Sequence, residues 1–77
     1  MSKKKDLKKA IEESEMEIET LEKKRNRSQS AILQAFLEHK SPDNADAEYF
    51  RVYSQLIDLA RSNLRKLHAE LAELERK

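Results

Sequence analysis

One proline divides a sequence that otherwise favours helix along nearly its whole length. Pro42 is the single proline among the 77 residues, and glycine is absent. The flanking stretches, 3–40 and 47–77, are rich in Lys, Glu, Leu and Ala, which have high helix propensity. Proline ends a helix because its ring clashes with the preceding turn and its nitrogen carries no hydrogen. The sequence therefore predicts one domain over residues 1–77, with helices at 3–40 and 47–77 and a turn at 41–46.

Residues of core type recur at alternating spacings of three and four in both predicted helices. The first ladder consists of Leu7, Ile11, Ser14, Ile18, Leu21, Arg25, Ser28, Ile32 and Ala35, and the second of Phe50, Tyr53, Ile57, Ala60, Leu64, Leu67, Leu71 and Leu74. Such spacing forms one stripe along each helix, as in a coiled coil. Two helices of similar length with a short connection pack antiparallel. We therefore expect an all-α, coiled-coil-like antiparallel two-helix hairpin, whose ladders meet along a shared seam.

Folding the chain about residues 42–43 predicts which ladder residues face each other. The predicted pairs are Ile11 with Leu74, Ile18 with Leu67, Leu21 with Leu64, Arg25 with Ala60, Ser28 with Ile57, Ile32 with Tyr53 and Ala35 with Phe50. The same fold sets the acidic segment 12–22 beside Arg61, Arg65, Lys66 and His68. It sets the basic segment 3–9 beside Glu70, Glu73 and Glu75, and this charge pattern favours the antiparallel orientation.

Three ladder positions hold polar residues, namely Ser14, Arg25 and Ser28. A polar residue in a seam sets the register, or is tolerated at a cost in stability. A polar contact with a partner is the alternative interpretation.

Near the predicted turn the two helices carry more apolar residues than one seam can bury. The candidate partner-binding residues are Leu33, Phe36, Leu37, Tyr49, Val52, Leu56 and Leu59. At 100° per residue they cannot all face one helix, and large exposed apolar surfaces mark interaction sites. We therefore expect a small non-enzymatic protein–protein interaction module, which completes a helical bundle with a second copy or with another helical protein. The alternative is that the excess thickens the internal seam.

The composition gives little support for catalysis, metal binding or membrane insertion. Without Cys or Gly the chain has no disulfide, no cysteine zinc site and no glycine-rich phosphate loop. His39 and His68 do not follow a metal-ligand spacing, and we expect no metal and no cofactor. No run of 18 apolar residues exists, and the N-terminus lacks the apolar stretch of a secretory signal. We therefore expect a cytoplasmic protein that does not contact a membrane.

The basic run Lys23–Arg27 is the candidate nucleic-acid site. In the predicted register it lies level with Arg61, Arg65 and Lys66, and a basic belt of this kind can contact phosphates. However, the chain has 16 Lys and Arg against 15 Asp and Glu, a glutamate-rich block precedes the run, and no aromatic residue interleaves it. We expect a solvated, ion-paired surface, and keep an RNA-binding four-helix bundle of two hairpins as the third interpretation.

The segment Ala47-Glu48-Tyr49-Phe50, which follows the polar turn, resembles a known family in its position. Small co-chaperones of type III secretion needle subunits, the YscE-like family, are short helical hairpins with a Tyr near the start of the second helix. The resemblance covers roughly residues 20–70. It implies a cytoplasmic bacterial protein that binds a helical-repeat chaperone and helps to keep a needle subunit from polymerising early.

A second resemblance supplies an enzymatic alternative. Ser54-Gln55-Leu56-Ile57-Asp58 is similar to the Ser-x-x-x-Asp motif of the sporulation-type aspartyl-phosphate phosphatases, which are also two-helix hairpins. This resemblance implies a phosphatase acting on response regulators, with Asp58 as the catalytic carboxylate. Because a Ser four residues before an Asp is common by chance on any helix, we rank this function below the interaction module.

Overall fold

A computed structural model describes residues 2–76, and within them the chain forms two long α-helices. Helix α1 is Lys3–Leu37 and helix α2 is Asn44–Arg76. They pack side by side into a rod of 59 × 16 × 15 Å, about the length expected for 35 residues that each rise 1.5 Å. The predicted all-α antiparallel hairpin is confirmed.

Helix α1 ends at Leu37, three residues before the predicted boundary, because His39 adopts the left-handed backbone conformation with φ 58°. The Lys40 N–H donates to the Ala35 carbonyl at 2.8 Å, and the His39 N–H donates to the Phe36 carbonyl at 3.0 Å. These two bonds form a Schellman motif, which usually has Gly at the left-handed position. This chain has no Gly, so His39 takes that position, and the predicted end at residue 40 is wrong.

His39→Gly is expected to raise the free energy of unfolding by about 1 kcal/mol, because glycine has no Cβ to clash in the left-handed conformation. Urea unfolding followed by circular dichroism measures the change. The control is Lys40→Gly, since Lys40 lies outside the left-handed region and gains only backbone freedom in the unfolded state. If His39→Gly fails to raise the free energy of unfolding, or changes it by the same amount as Lys40→Gly, the left-handed turn is not at His39.

Helix α2 begins at Asn44, three residues before the predicted boundary, because Asp43 caps it. The Ala45 N–H donates to the Asp43 carboxylate at 2.9 Å, and the Ala47 N–H donates to the Asp43 carbonyl at 3.2 Å. A carboxylate at this position satisfies a backbone donor that the first turn of a helix leaves unpaired. The connection therefore covers only residues 38–43, and the predicted start at residue 47 is wrong.

The core is a narrow seam between the helices. Its most buried members are Leu7, Ile11, Ser14, Ile18, Ser28 and Ile57. Ile57 has no accessible surface at all. Every other ladder residue is half-buried, so the prediction that the two ladders face inward is confirmed. The seam serines are buried, and Arg25 is half-buried.

Two ion pairs join the helices. Lys4 Nζ lies 3.6 Å from a Glu75 carboxylate oxygen, and an Arg61 guanidinium nitrogen lies 3.6 Å from a Glu22 carboxylate oxygen. The predicted proximity of the basic N-terminal segment to Glu75, and of the acidic segment 12–22 to Arg61, is confirmed. All four side chains are close to half exposed, so each pair contributes about 0–1 kcal/mol and mainly favours the antiparallel orientation.

The residues that face each other across the seam are displaced by about one helical turn from the predicted pairs. Leu21 lines one cleft together with Ala60, and Ser28 lines another together with Tyr53, where the predicted partners were Leu64 and Ile57. The connection is centred on residues 40–41 rather than 42–43. Moving this centre by two residues moves every partner by four, which is about one turn. The predicted register is therefore wrong, although the inward stripes are right, since a shift of one turn keeps the same face of a helix inward.

Candidate functional site

The seven candidate partner-binding residues lie in the half of the hairpin that ends in the connection. Those exposed to solvent are Leu33, Phe36, Leu37, Tyr49, Leu56 and Leu59, and Val52 is half-buried. We call this set the turn-end surface. In the other half of the described chain, the large apolar side chain exposed to solvent is Met16. Exposed apolar area is thus concentrated at one end of the rod.

Helix α1 contributes one part of this surface. Leu33, Phe36 and Leu37 are spaced by three and four residues, so they form one patch on the helix. Phe36 lies two heptads beyond Glu22, and the α1 patch is therefore on the same side of the seam as the Glu22–Arg61 ion pair. Leu37 is 77% exposed at the last turn of the helix.

Helix α2 contributes the other part. Tyr49, Val52, Leu56 and Leu59 follow one another at spacings of three, four and three, and we call them the α2 stripe. Three of its residues, Tyr49, Leu56 and Leu59, line clefts. The α1 residues that line these clefts, among them Lys24, lie on the side of α1 away from the α1 patch. The α2 stripe and the α1 patch therefore lie on opposite sides of the hairpin. The seven residues were predicted as one surface, but the structure divides them between two faces. A helical wheel drawn with the seam at its centre would have shown this division.

A shallow cleft of about 290 Å³ lies beside the α2 stripe near the connection. Two cations, Lys24 and Arg27, line it from α1, and Tyr49 and Tyr53 line it from α2. The two rings stack with centroids 6.2 Å apart. The sequence did not predict that cations and aromatic rings line one cleft, because the basic run has no aromatic neighbour along the chain. Only the correct pairing of the helices would have predicted it.

A second cleft, of about 270 Å³, lies further from the connection on the same side of the hairpin. Apolar side chains from both helices line it, including Leu21, Leu56 and Leu59, and Ser14 opens onto it. The α2 stripe therefore runs between two depressions that a partner's side chains can fill.

The basic belt predicted across both helices does not lie at one level. Glu22 meets Arg61, so the run 23–27 lies on the connection side of that pair, while Arg65 and Lys66 lie on the far side of it. Arg65 falls outside the run even in the predicted register, where it faces Thr20, and the one-turn displacement moves it further away. Lys23 pairs with Glu19 at 3.5 Å and Arg61 pairs with Glu22, which supports the ion-paired interpretation of this surface.

The motif of the enzymatic alternative lies on α2. Ser54 is half-buried and Asp58 is exposed one turn later. One turn before Ser54, the Arg51 guanidinium donates hydrogen bonds to the Glu48 carboxylate. Those hydrogen bonds and the charge of Arg51 hold the pKa of Glu48 below its usual value. The same hydrogen bonds and the charge of Glu48 raise the pKa of Arg51.

The two histidines are both exposed, His39 in the connection and His68 on α2. Across residues 2–76, no three His, Asp or Glu side chains lie close enough together to hold a metal ion.

Comparisons with protein-family models, with curated proteins and with solved structures give no match for this chain. Neither helix, over its described residues, has an apolar stretch long enough to cross a membrane.

Proposed function

We propose that the protein is a small non-enzymatic interaction module whose turn-end surface binds a helical protein. The observation that carries the proposal is the uneven distribution of exposed apolar side chains. Six large exposed apolar side chains lie at the turn end, whereas the rest of the described chain has one, Met16. Exposed apolar surface of this extent marks interaction sites. The spacings of three and four within each face suit the knob-and-groove packing of a partner helix.

The most concrete form of this role is that of a cytoplasmic co-chaperone similar to the YscE-like family. Its support is the layout of the hairpin, with a polar connection at 38–43 and Tyr49 exposed in the second turn of α2. In this role the partner is a helical-repeat chaperone, and the complex keeps a secretion needle subunit from polymerising early.

The test is the double variant Leu37→Glu with Leu56→Glu, which places one charge on each face of the turn-end surface. Both residues are exposed and lie off the ladders, so the helix content measured by circular dichroism should survive. Burying a charge without a counter-charge is unfavourable. Affinity-tagged protein from the native host should therefore recover a helical partner with the parent chain and lose it with the double variant.

Met16→Glu is the matched control, because Met16 is 67% exposed but lies in the other half of α1. It adds one charge to an apolar position that is also exposed, and it should recover the same partner as the parent. The proposal is wrong if the double variant, still helical, recovers the parent's partner unchanged, or if Met16→Glu loses it as fully.

A further inference from the structure

The α2 stripe has the same spacing when read in either direction along the helix. Tyr49 and Leu59 each lie five residues from Ser54, and Val52 and Leu56 each lie two residues from it. If α2 is laid antiparallel on a copy of itself with the two Ser54 residues level, Tyr49 meets Leu59 and Val52 meets Leu56. A two-fold axis requires such reciprocal contacts: if one residue contacts a second residue of the other copy, the second also contacts the first of the other copy.

We propose that the α2 stripe is the interface with a second copy of this chain, so that two hairpins form an antiparallel four-helix assembly. The inference rests on the proposed function, since it takes the turn-end surface as an interface. It names a second copy of the chain as the partner of the α2 stripe. The α1 patch, on the opposite side of the hairpin, stays free for a different protein.

Charge along this contact agrees with self-association. The four residues of the stripe carry no charge, so the contact along the stripe itself buries no ion. One step further out, Ala45 lies level with Asn63 of the second copy, a small residue against a polar one. At the edge, Gln55 lies beside Gln55 of the second copy and Glu48 beside its Ser62, so like charges do not oppose each other there.

The exposed area of the single hairpin also fits a dimer. The chain exposes 6197 Å², whereas a compact monomer of 9.1 kDa exposes about 4,900 Å² by the general scaling of surface with mass. The excess is about 1,300 Å² per chain, and a standard interface buries about 800 Å² per partner. A second copy on the α2 stripe would cover the stripe and reach the two clefts beside it.

Leu56→Glu is the first test, because by symmetry it changes two of the four apolar layers. The parent should sediment as a dimer, and Leu56→Glu should weaken the dimer by at least about 100-fold, which leaves a helical monomer. Leu37→Glu, on the opposite face, should remain a dimer. A parent that is monomeric at millimolar concentration would overturn the inference, and so would dissociation by Leu37→Glu but not by Leu56→Glu.

Spin labels test the geometry, since the chain has no Cys of its own. A label on Gln55→Cys lies near the two-fold axis and should give a distance within roughly 20 Å, given helix axes 8–10 Å apart. A label on Glu70→Cys lies 16 residues from Ser54, so the two labels of the dimer should be roughly 50 Å apart. Short distances at both positions mean a parallel dimer, which would overturn the proposed pairing.

These outcomes separate the inference from the proposed function. If the parent is monomeric but still recovers a helical partner that Leu37→Glu with Leu56→Glu loses, the self-association is wrong and the proposed function stands. If the dimer forms with both expected distances but no other protein is recovered, the self-association stands and the proposed function is wrong.

Discussion

Ile57→Ala is expected to lower the free energy of unfolding by about 2–5 kcal/mol, the range for truncating a buried Ile. Ile57 has no accessible surface, and every other described core residue is more exposed than Ile57. It lies near the middle of α2, on the ladder that packs against α1. A chain of 77 residues has a total stability of about 4–12 kcal/mol at the usual value per residue. This single truncation therefore removes a large share of the total.

Urea unfolding followed by circular dichroism measures this loss, at several protein concentrations because association adds apparent stability. Met16→Ala is the control, since it truncates a large apolar side chain that is 67% exposed and should change the stability by no more than about 0.5 kcal/mol. Equal losses from the two variants would show that Ile57 is not at the centre of the core.

The inward stripes could be predicted from the sequence because they depend only on local spacing. A ladder of threes and fours selects one face of a helix, whatever lies opposite it. All the ladder residues, from Leu7 to Ala35 and from Phe50 to Leu74, are accordingly buried or half-buried. Serine and arginine positions follow the same rule, since Ser14, Arg25 and Ser28 face the seam as well.

The pairing of the helices could not be predicted in the same way, because it depends on where the connection is centred. Helix propensity predicted that α1 continues through Lys40, whereas the chain turns at His39. His39 adopts the left-handed backbone conformation although it lacks the conformational freedom of Gly. The candidate site shows the same division. Exposure of residues such as Leu37 and Tyr49 follows from the excess of apolar residues, but the separation into two faces depends on the seam. That Lys24 and Tyr53 line the same cleft depends on the register.

Ser14→Leu is expected to raise the free energy of unfolding by about 1.5–2 kcal/mol, the second largest effect on stability. Ser14 faces the seam and is only 8% exposed, so a leucine there would bury most of its apolar surface. Larger side chains usually strain a filled core, but Ser14 borders the cleft of about 270 Å³ that Leu21 and Leu56 also line. That space can receive the added carbons.

Ser30→Leu is the matched control, because Ser30 lies on α1 but is exposed. It should change the stability by only a few tenths of a kcal/mol, the difference in helix propensity. Sedimentation of Ser14→Leu tests in addition why the seam is polar here. A stabilised protein of unchanged mass shows that Ser14 is a tolerated weakness, whereas a change in mass shows that it sets the oligomeric state, as buried polar residues do in coiled coils. A loss of stability would contradict the prediction, since it would mean that the cleft cannot accept a larger side chain.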